Sequence, residues 1–333
     1  MDLFAERQSE YRYQRGVTGR GLSLSRRFLY ASRLILFSWV PLLEWRAVVG
    51  RRGIRHSKSV QFMNDLCNAT QGSGLDFGGR IVRRLRMPDT RRFDETELPQ
   101  LSAQSTLPAS EIDRIIDELR SDGFSVIRNF ATAEVADFIR SGVENSASTD
   151  WRGSTFSGYV DWMRNGVTSR IDVDSEAVAS VVNQSGIDLT SMDLIARKYL
   201  DVAPIRLAPQ CWITQHRDAL STTDLEETAM SFHCDSDFLS FFKTFLLLTP
   251  VSEENGPFAF VAGSHKGRRQ VQGRVPDTTL EIGETERRLG TGQPGDLVLA
   301  ATMGWHKGTP VRVGHRSMIQ WLYTTSLFGR ATK

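Results

Sequence analysis

A chain of 333 residues with 40% hydrophobic content is long enough for one large core and an appendage, and 24% charged residues is an ordinary globular value that excludes wholesale disorder. The net charge of +2 points to no particular partner, but it is unevenly spread. Residues 1–60 carry twelve Arg and Lys against four acids, a net +8, which leaves −6 for the rest. Three cysteines, Cys67, Cys211 and Cys234, give no disulfide framework and suit a reducing, cytoplasmic setting.

The start, Met1-Asp-Leu-Phe-Ala-Glu-Arg7, has no secretory apolar run. The most apolar stretch, Phe28–Val49, is interrupted by Arg33, Pro41, Glu44 and Arg46, and its longest uncharged run is ten residues. A spanning helix needs roughly 20. A helix docked on the rest of the protein is expected here. The alternatives are a single-pass anchor and a basic segment lying on an anionic membrane surface. Residues 1–105 read as a basic, helical N-terminal extension, within which Gly72–Gly79 reads as loop and residues 94–108 as linker. No nucleic-acid-binding motif is present, so a nucleic-acid partner is not expected.

From Ser110 the pattern sharpens. Ser110 is placed to cap a helix carrying Ile112, Ile115, Ile116 and Leu119 at helical spacing, ended by Asp122-Gly123. Phe124–Phe130 alternates like a strand, and Thr132 caps a second helix with Val135, Phe138, Ile139 and Val143 on one face. From about Ala196 the signals are strands and turns: Ile205–Thr214, Met230–Asp235, Thr244–Leu248, Phe258–Val261, Asp296–Ala301 and Ser317–Thr325. Many short strands with long excursions predict a sandwich or jelly roll over residues 106–333, a mainly β class with flanking helices.

Two segments carry chemistry. In Ser231-Phe-His-Cys-Asp-Ser-Asp-Phe238, His233 and Asp235 are two apart, so a strand projects both from one face and Cys234 from the other. Alone this tripeptide is a weak signal. In Gly304-Trp-His-Lys-Gly, His306 ends an apolar strand before a Gly/Pro turn, and Arg316 follows ten residues later at the start of another strand. Two imidazoles and one carboxylate on one face leave open positions that suit iron(II), a bidentate 2-oxo acid and dioxygen. Arg316 offers a charged fork for the distal carboxylate of 2-oxoglutarate.

These pieces make the chain recognisable. Over roughly residues 108–326 it resembles the phytanoyl-CoA dioxygenase family of iron(II)/2-oxoglutarate oxygenases. Ile115–Phe124 resembles the family's opening helix and strand, His233-Cys-Asp235 its first two metal ligands, and Thr249–His265 the middle of the fold. Pro294-Gly-Asp-Leu-Val298 precedes the last ligand, and His306 and Arg316 match the distal histidine and the oxoglutarate arginine. The resemblance implies a double-stranded β-helix, with iron(II) on His233, Asp235 and His306 at its mouth, and 2-oxoglutarate and O2 as cosubstrates. Relatives that halogenate lack the carboxylate at the position of Asp235, so its presence implies hydroxylation of a small-molecule or lipid-linked substrate, with desaturation or epimerisation as alternative outcomes. A silent jelly-roll binding protein using the same pocket is the rival from another class.

The chain departs from the family in one respect. Many relatives place a serine near the distal histidine or the arginine, where Gly308 and Met318 stand here, so Thr244 and Trp212 are candidate helpers for the 2-oxoglutarate carboxylate. Asp237 is a rival for Asp235 at a less suitable spacing. His265 reads as a turn histidine, His315 as surface or supporting, and His216 as a weak substrate contact. Lys243, inside Phe241-Phe-Lys-Thr-Phe245, invites either an ion pair near the mouth or a snorkelling edge position.

Overall fold

The computed structural model describes residues 24–37, 57–70, 72–217, 228–266 and 286–328. Of the apolar stretch expected at Phe28–Val49, the part beyond Phe37 lies outside the described residues, as do residues 1–23. Within the described residues no helix is long and apolar enough to cross a membrane.

The N-terminal part is helical: α1 (Leu24–Phe37), α2 (Ser57–Thr70), α3 (Ser73–Leu85), α4 (Met87–Thr96) and α5 (Leu98–Gln104). Two expectations are corrected here. Gly72–Gly79 is not a loop but the start of α3, and residues 94–104 are largely helical rather than linker. The glycines of α3 are there for close approach. A Cβ at Gly78 would sit 2.9 Å from Leu239 Cδ2, and one at Gly79 would sit 2.6 Å from Ser240 Oγ. Helix α3 therefore lies flush against the β-core, and Leu75 and Val82 share a cluster with Met63, Cys67, Leu239, Leu327 and Phe328. Arg86, at the end of α3, donates from Nη1 to the Thr325 carbonyl at 2.8 Å.

Helix α6 (Ala109–Ser121) starts one residue before the expected Ser110 cap, with Pro108 at the N-cap position and no side-chain cap. It buries Ile112, Ile115, Ile116 and Leu119. Gly123, at φ +79°, makes the turn into β1 (Phe124–Ile127). Thr132 caps α7 (Ala133–Glu144) by accepting from the Val135 N–H, an interaction worth about 1 kcal/mol. Phe138 is exposed rather than on the buried face, which is formed by Ala136, Ile139 and Val143. The chain continues through β2 (Ser148–Asp150), β3 (Thr155–Phe156), α8 (Tyr159–Asn165), β4 (Arg170–Val173), α9 (Ser175–Gln184) and α10 (Leu189–Leu200).

The remaining strands are β5 (Ile205–Arg206), β6 (Gln210–Gln215), β7 (Phe241–Leu247), β8 (Phe258–Val261), β9 (Arg287–Gly290), β10 (Leu297–Ala300), β11 (His306–Gly308) and β12 (His315–Thr324). One antiparallel sheet runs β1-β10-β7-β12-β6-β4-β2-β3, with β5 beside β12, and a second runs β11-β8-β9. Met230–Asp235 is not a regular strand; it joins the second sheet only through a bridge between His233 and His306.

A two-residue period sorts the large sheet's side chains. Phe242, Leu246, Ile319, Trp321 and Tyr323 face the layer of helices α6, α7, α9 and α10 in the main core. Phe245, Leu247, Val298 and Met318 face the other way, against Phe258 and Phe260 of the small sheet. Two facing antiparallel sheets, one backed by helices, make this a jelly roll with flanking helices and a helical N-terminal region.

Candidate active site

Between the two sheets lies a cavity of about 270 Å³, into which the side chains at alternate positions of β6, β7 and β12 project. His233, Asp235 and His306 meet at its wall. One ligand atom from each lies within 4.8 Å of the others, and among the described residues this is the one such group of three that could hold a metal ion. Backbone geometry explains the convergence. His233 and His306 exchange both N–H to carbonyl hydrogen bonds, at 2.9 and 3.0 Å, so their side chains leave the same face of one narrow pair. The Asp235 N–H donates to the Thr302 carbonyl at 2.9 Å, which ties the third side chain to the segment that leads into His306.

The imidazoles are held in one tautomer. His233 Nδ1 lies 2.8 Å from the Ser231 carbonyl and His306 Nδ1 2.9 Å from the Gly304 carbonyl, so each donates its Nδ1 proton to backbone. Each Nε2 is turned toward Asp235, at 3.7 Å from Oδ1 for His233 and 3.4 Å from Oδ2 for His306. Burial is the strongest influence on the Asp235 carboxyl and pushes its pKa up. The charges of Lys243 and the two histidines outweigh it and hold the group well below the usual carboxylate range. Two imidazoles and one carboxylate, fixed from behind and open in front, fit a divalent transition metal.

Arg316 lies deeper in the same cavity, 4% exposed, with Nε and Nη1 buried and lacking any hydrogen-bond partner. Burial, reinforced by Arg170, pushes its pKa down to about 9, so the guanidinium remains a cation at neutral pH. An orphaned buried fork is costly unless an anion completes it, and a carboxylate fits it. Trp212 lines the cavity and carries the Arg170 guanidinium 4.6 Å above its ring. Thr244 does not reach the cavity. It faces the helices, with Oγ1 3.8 Å from Met192 Sδ, because its neighbours Lys243 and Phe245 take the inward positions of β7. Gly308 borders the site, where a Cβ would stand 3.4 Å from Arg316 Nη2.

The other singled-out residues fall outside the cluster. Asp237 Oδ2 forms an ion pair with Lys243 Nζ at 3.0 Å. His216 Nδ1 lies 3.1 Å from the Val311 carbonyl. His315 points away from Arg316 and meets Glu144 Oε1 at 3.0 Å. His265 sits in the turn after β8, tight against Gly123. Lys243 is neither at an edge nor snorkelling; it is buried and bonded to Asp235 and Asp237. Sequence reasoning passed over Gln210, Gln320 and Arg170, which also line the cavity. Counting by twos from Arg316 along β12 reaches Gln320, and its cross-strand partner is Gln210.

The profile of the phytanoyl-CoA dioxygenase (PhyH) family matches residues 119–318, which takes in His233, Asp235, His306 and Arg316. The chain belongs to that family. The chemistry of its class is accordingly iron- and 2-oxoglutarate-dependent oxygenation. No curated protein matches the chain. Among solved structures, the chain is similar to the non-haem α-ketoglutarate-dependent epimerase SnoN from nogalamycin biosynthesis, at 17% identity over 65% of this chain and 83% of that one, with a TM-score of 0.46. It is similar to EvdO2 from Micromonospora carbonacea var. aurantiaca, at 15% identity over 67% and 92%, with a TM-score of 0.48. HygX from Streptomyces hygroscopicus, solved with nickel and 2-oxoglutarate bound, matches at 16% identity over 66% and 87%, with a TM-score of 0.45. The family assignment rests on the matched residues of this chain and not on those three.

Proposed function

We propose that this PhyH-family protein is an iron(II)- and 2-oxoglutarate-dependent hydroxylase of a small-molecule or lipid-linked substrate. The observation that carries the reading is the pairing, across one cavity, of the His233–Asp235–His306 cluster with the unsatisfied guanidinium of Arg316. His233 and His306 would ligate through Nε2, and Asp235 through a carboxylate oxygen. Bound iron would supply oxidative decarboxylation of 2-oxoglutarate coupled to oxidation of a substrate C–H bond. The protein's own contributions are positional. Arg316 would receive the distal carboxylate of 2-oxoglutarate and so hold the cosubstrate in the cavity that the histidines share. Phe245, Phe258 and Met318 form the apolar wall that keeps water from the reacting atoms. Trp212 and the Gln210–Gln320 amide pair, 3.2 Å apart, are left to meet the substrate or the cosubstrate.

In this reading residues 106–333 are the oxygenase domain and residues 1–105 a basic N-terminal extension. Cys67, Cys211 and Cys234 are buried and form no disulfide with one another, which suits a reducing compartment. The test is anaerobic reconstitution with iron(II), then exposure to oxygen and 2-oxoglutarate. Uptake of one iron and slow formation of succinate without substrate support the reading. A protein that takes up no iron is a jelly-roll binder instead. With a substrate in hand, product mass separates hydroxylation from desaturation or epimerisation.

A further inference from the structure

Helix α3 presents two contrasting faces. Leu75, Gly79 and Val82 are buried against the β-core. On the opposite side Phe77, Ile81 and Leu85 recur every fourth residue and are exposed by 58%, 42% and 37%. Arg80 and Arg84 are exposed between them, and the Arg80 guanidinium lies 5.9 Å from the centre of the Phe77 ring. The acid of this helix, Asp76, is in its first turn, one turn before Arg80 at the edge of that stripe. Helix α1, which like α3 packs on α2, contains no acid at all and leaves Phe28 and Ile35 each 75% exposed. Neither surface serves the cavity. Solvent exposure of so many large apolar side chains in one part of a chain marks an interaction surface.

We infer that the stripe Phe77–Ile81–Leu85 with Arg80 and Arg84, supported by α1, is a surface that docks on an anionic phospholipid membrane. Charge complementarity selects that occupant. Large apolar side chains interleaved with arginines, and with no acid among them, match an interface where acyl chains lie beneath negative headgroups. The long arginine stems cover apolar surface while their heads reach phosphate. An in-plane helix is the geometry available, because α3 has 13 residues and is fixed by its buried face to the core. The inference is independent of the oxygenase reading, since it concerns neither the metal nor the cavity.

The test is cosedimentation of the full chain with vesicles of phosphatidylcholine, with and without phosphatidylglycerol. The expected result is binding to the mixed vesicles that weakens at least about tenfold on pure phosphatidylcholine and at high salt. The exposed triple variant Phe77→Ser/Ile81→Ser/Leu85→Ser abolishes it, and Arg80→Ser/Arg84→Ser reduces it on the anionic vesicles alone. Thermal melting and metal uptake verify that both variants are folded. Failure of the wild type to sediment with either vesicle overturns the inference, as does equal sedimentation of the triple variant. A concentration-dependent dimer in gel filtration that the triple variant dissolves overturns it too, by making the stripe a contact between copies of the chain.

Discussion

Lys243 Nζ lies 2.6 Å from Asp235 Oδ2 and 3.0 Å from Asp237 Oδ2, a buried cation clamped between two carboxylates beside the candidate metal centre. The pair fixes one oxygen of Asp235 and so limits how that carboxylate can turn toward a metal. Replacing Lys243 with Met leaves two half-buried carboxylates without their shared cation, which costs up to about 3 kcal/mol in the metal-free protein. Thermal melting is expected to show that loss, with partial recovery on adding a divalent metal. Cobalt(II) titration is expected to show affinity lowered about 10–100-fold, the usual effect of removing a group that orients a ligand. An unchanged melting temperature would mean that the ion pair contributes nothing.

His306→Ala and Asp235→Ala each remove a donor from the cluster without disturbing the neighbouring sheet. Both are expected to abolish metal uptake and succinate formation while keeping far-ultraviolet circular dichroism. Asp235→Asn keeps size and shape but removes the charge that balances a divalent ion, so it is expected to fall between wild type and Asp235→Ala in cobalt affinity. Equal metal uptake by all three variants would move the centre elsewhere.

Much of this arrangement was legible in the sequence because it obeys local periodicity. The i, i+2 spacing of His233 and Asp235 put both on one face even though no regular strand forms there, since one bridge to His306 imposes the same alternation. β8 matches its expected bounds of Phe258–Val261, and β10 and β12 fall within two residues of theirs, because their buried runs are bounded by turn residues. The failures came from tertiary contacts. The glycines of α3 read as loop because a single sequence does not show that Leu239 and Ser240 pack against them. Thr244 was offered as a cosubstrate contact, yet Lys243 takes the inward position, and the acids that neutralise that lysine come from a separate segment.

Glu144 predicts an acid limit to stability. Burial is the largest influence on its carboxyl and pushes the pKa up, but hydrogen bonds from His315 and Ser317 more than offset it, and the net displacement is downward. A carboxylate lowered in the folded state stabilises the fold above its unfolded pKa of about 4.3, and that contribution disappears as pH falls through the folded value. Glu144→Gln is therefore expected to be less stable than wild type at pH 7, with the difference shrinking in denaturant titrations below about pH 4. A difference that stays constant with pH would show that charge is not involved.

2-Oxoglutarate binding depends on the Arg316 guanidinium. Burial pushes its pKa down from the ordinary arginine value, yet the group stays charged across the working pH range, so the cation is available to the cosubstrate throughout. Arg316→Met removes a charge-assisted hydrogen-bonding partner and is expected to weaken the dissociation constant of 2-oxoglutarate on metal-loaded, oxygen-free protein by about 1.5–3 kcal/mol, roughly 10–100-fold. Gly308→Ser, whose added hydroxyl would stand beside Arg316 Nη2, is expected to tighten binding by about 1 kcal/mol. Isothermal titration under anaerobic conditions reads both changes. Unchanged affinity in Arg316→Met would mean that Arg316 is not the carboxylate's partner.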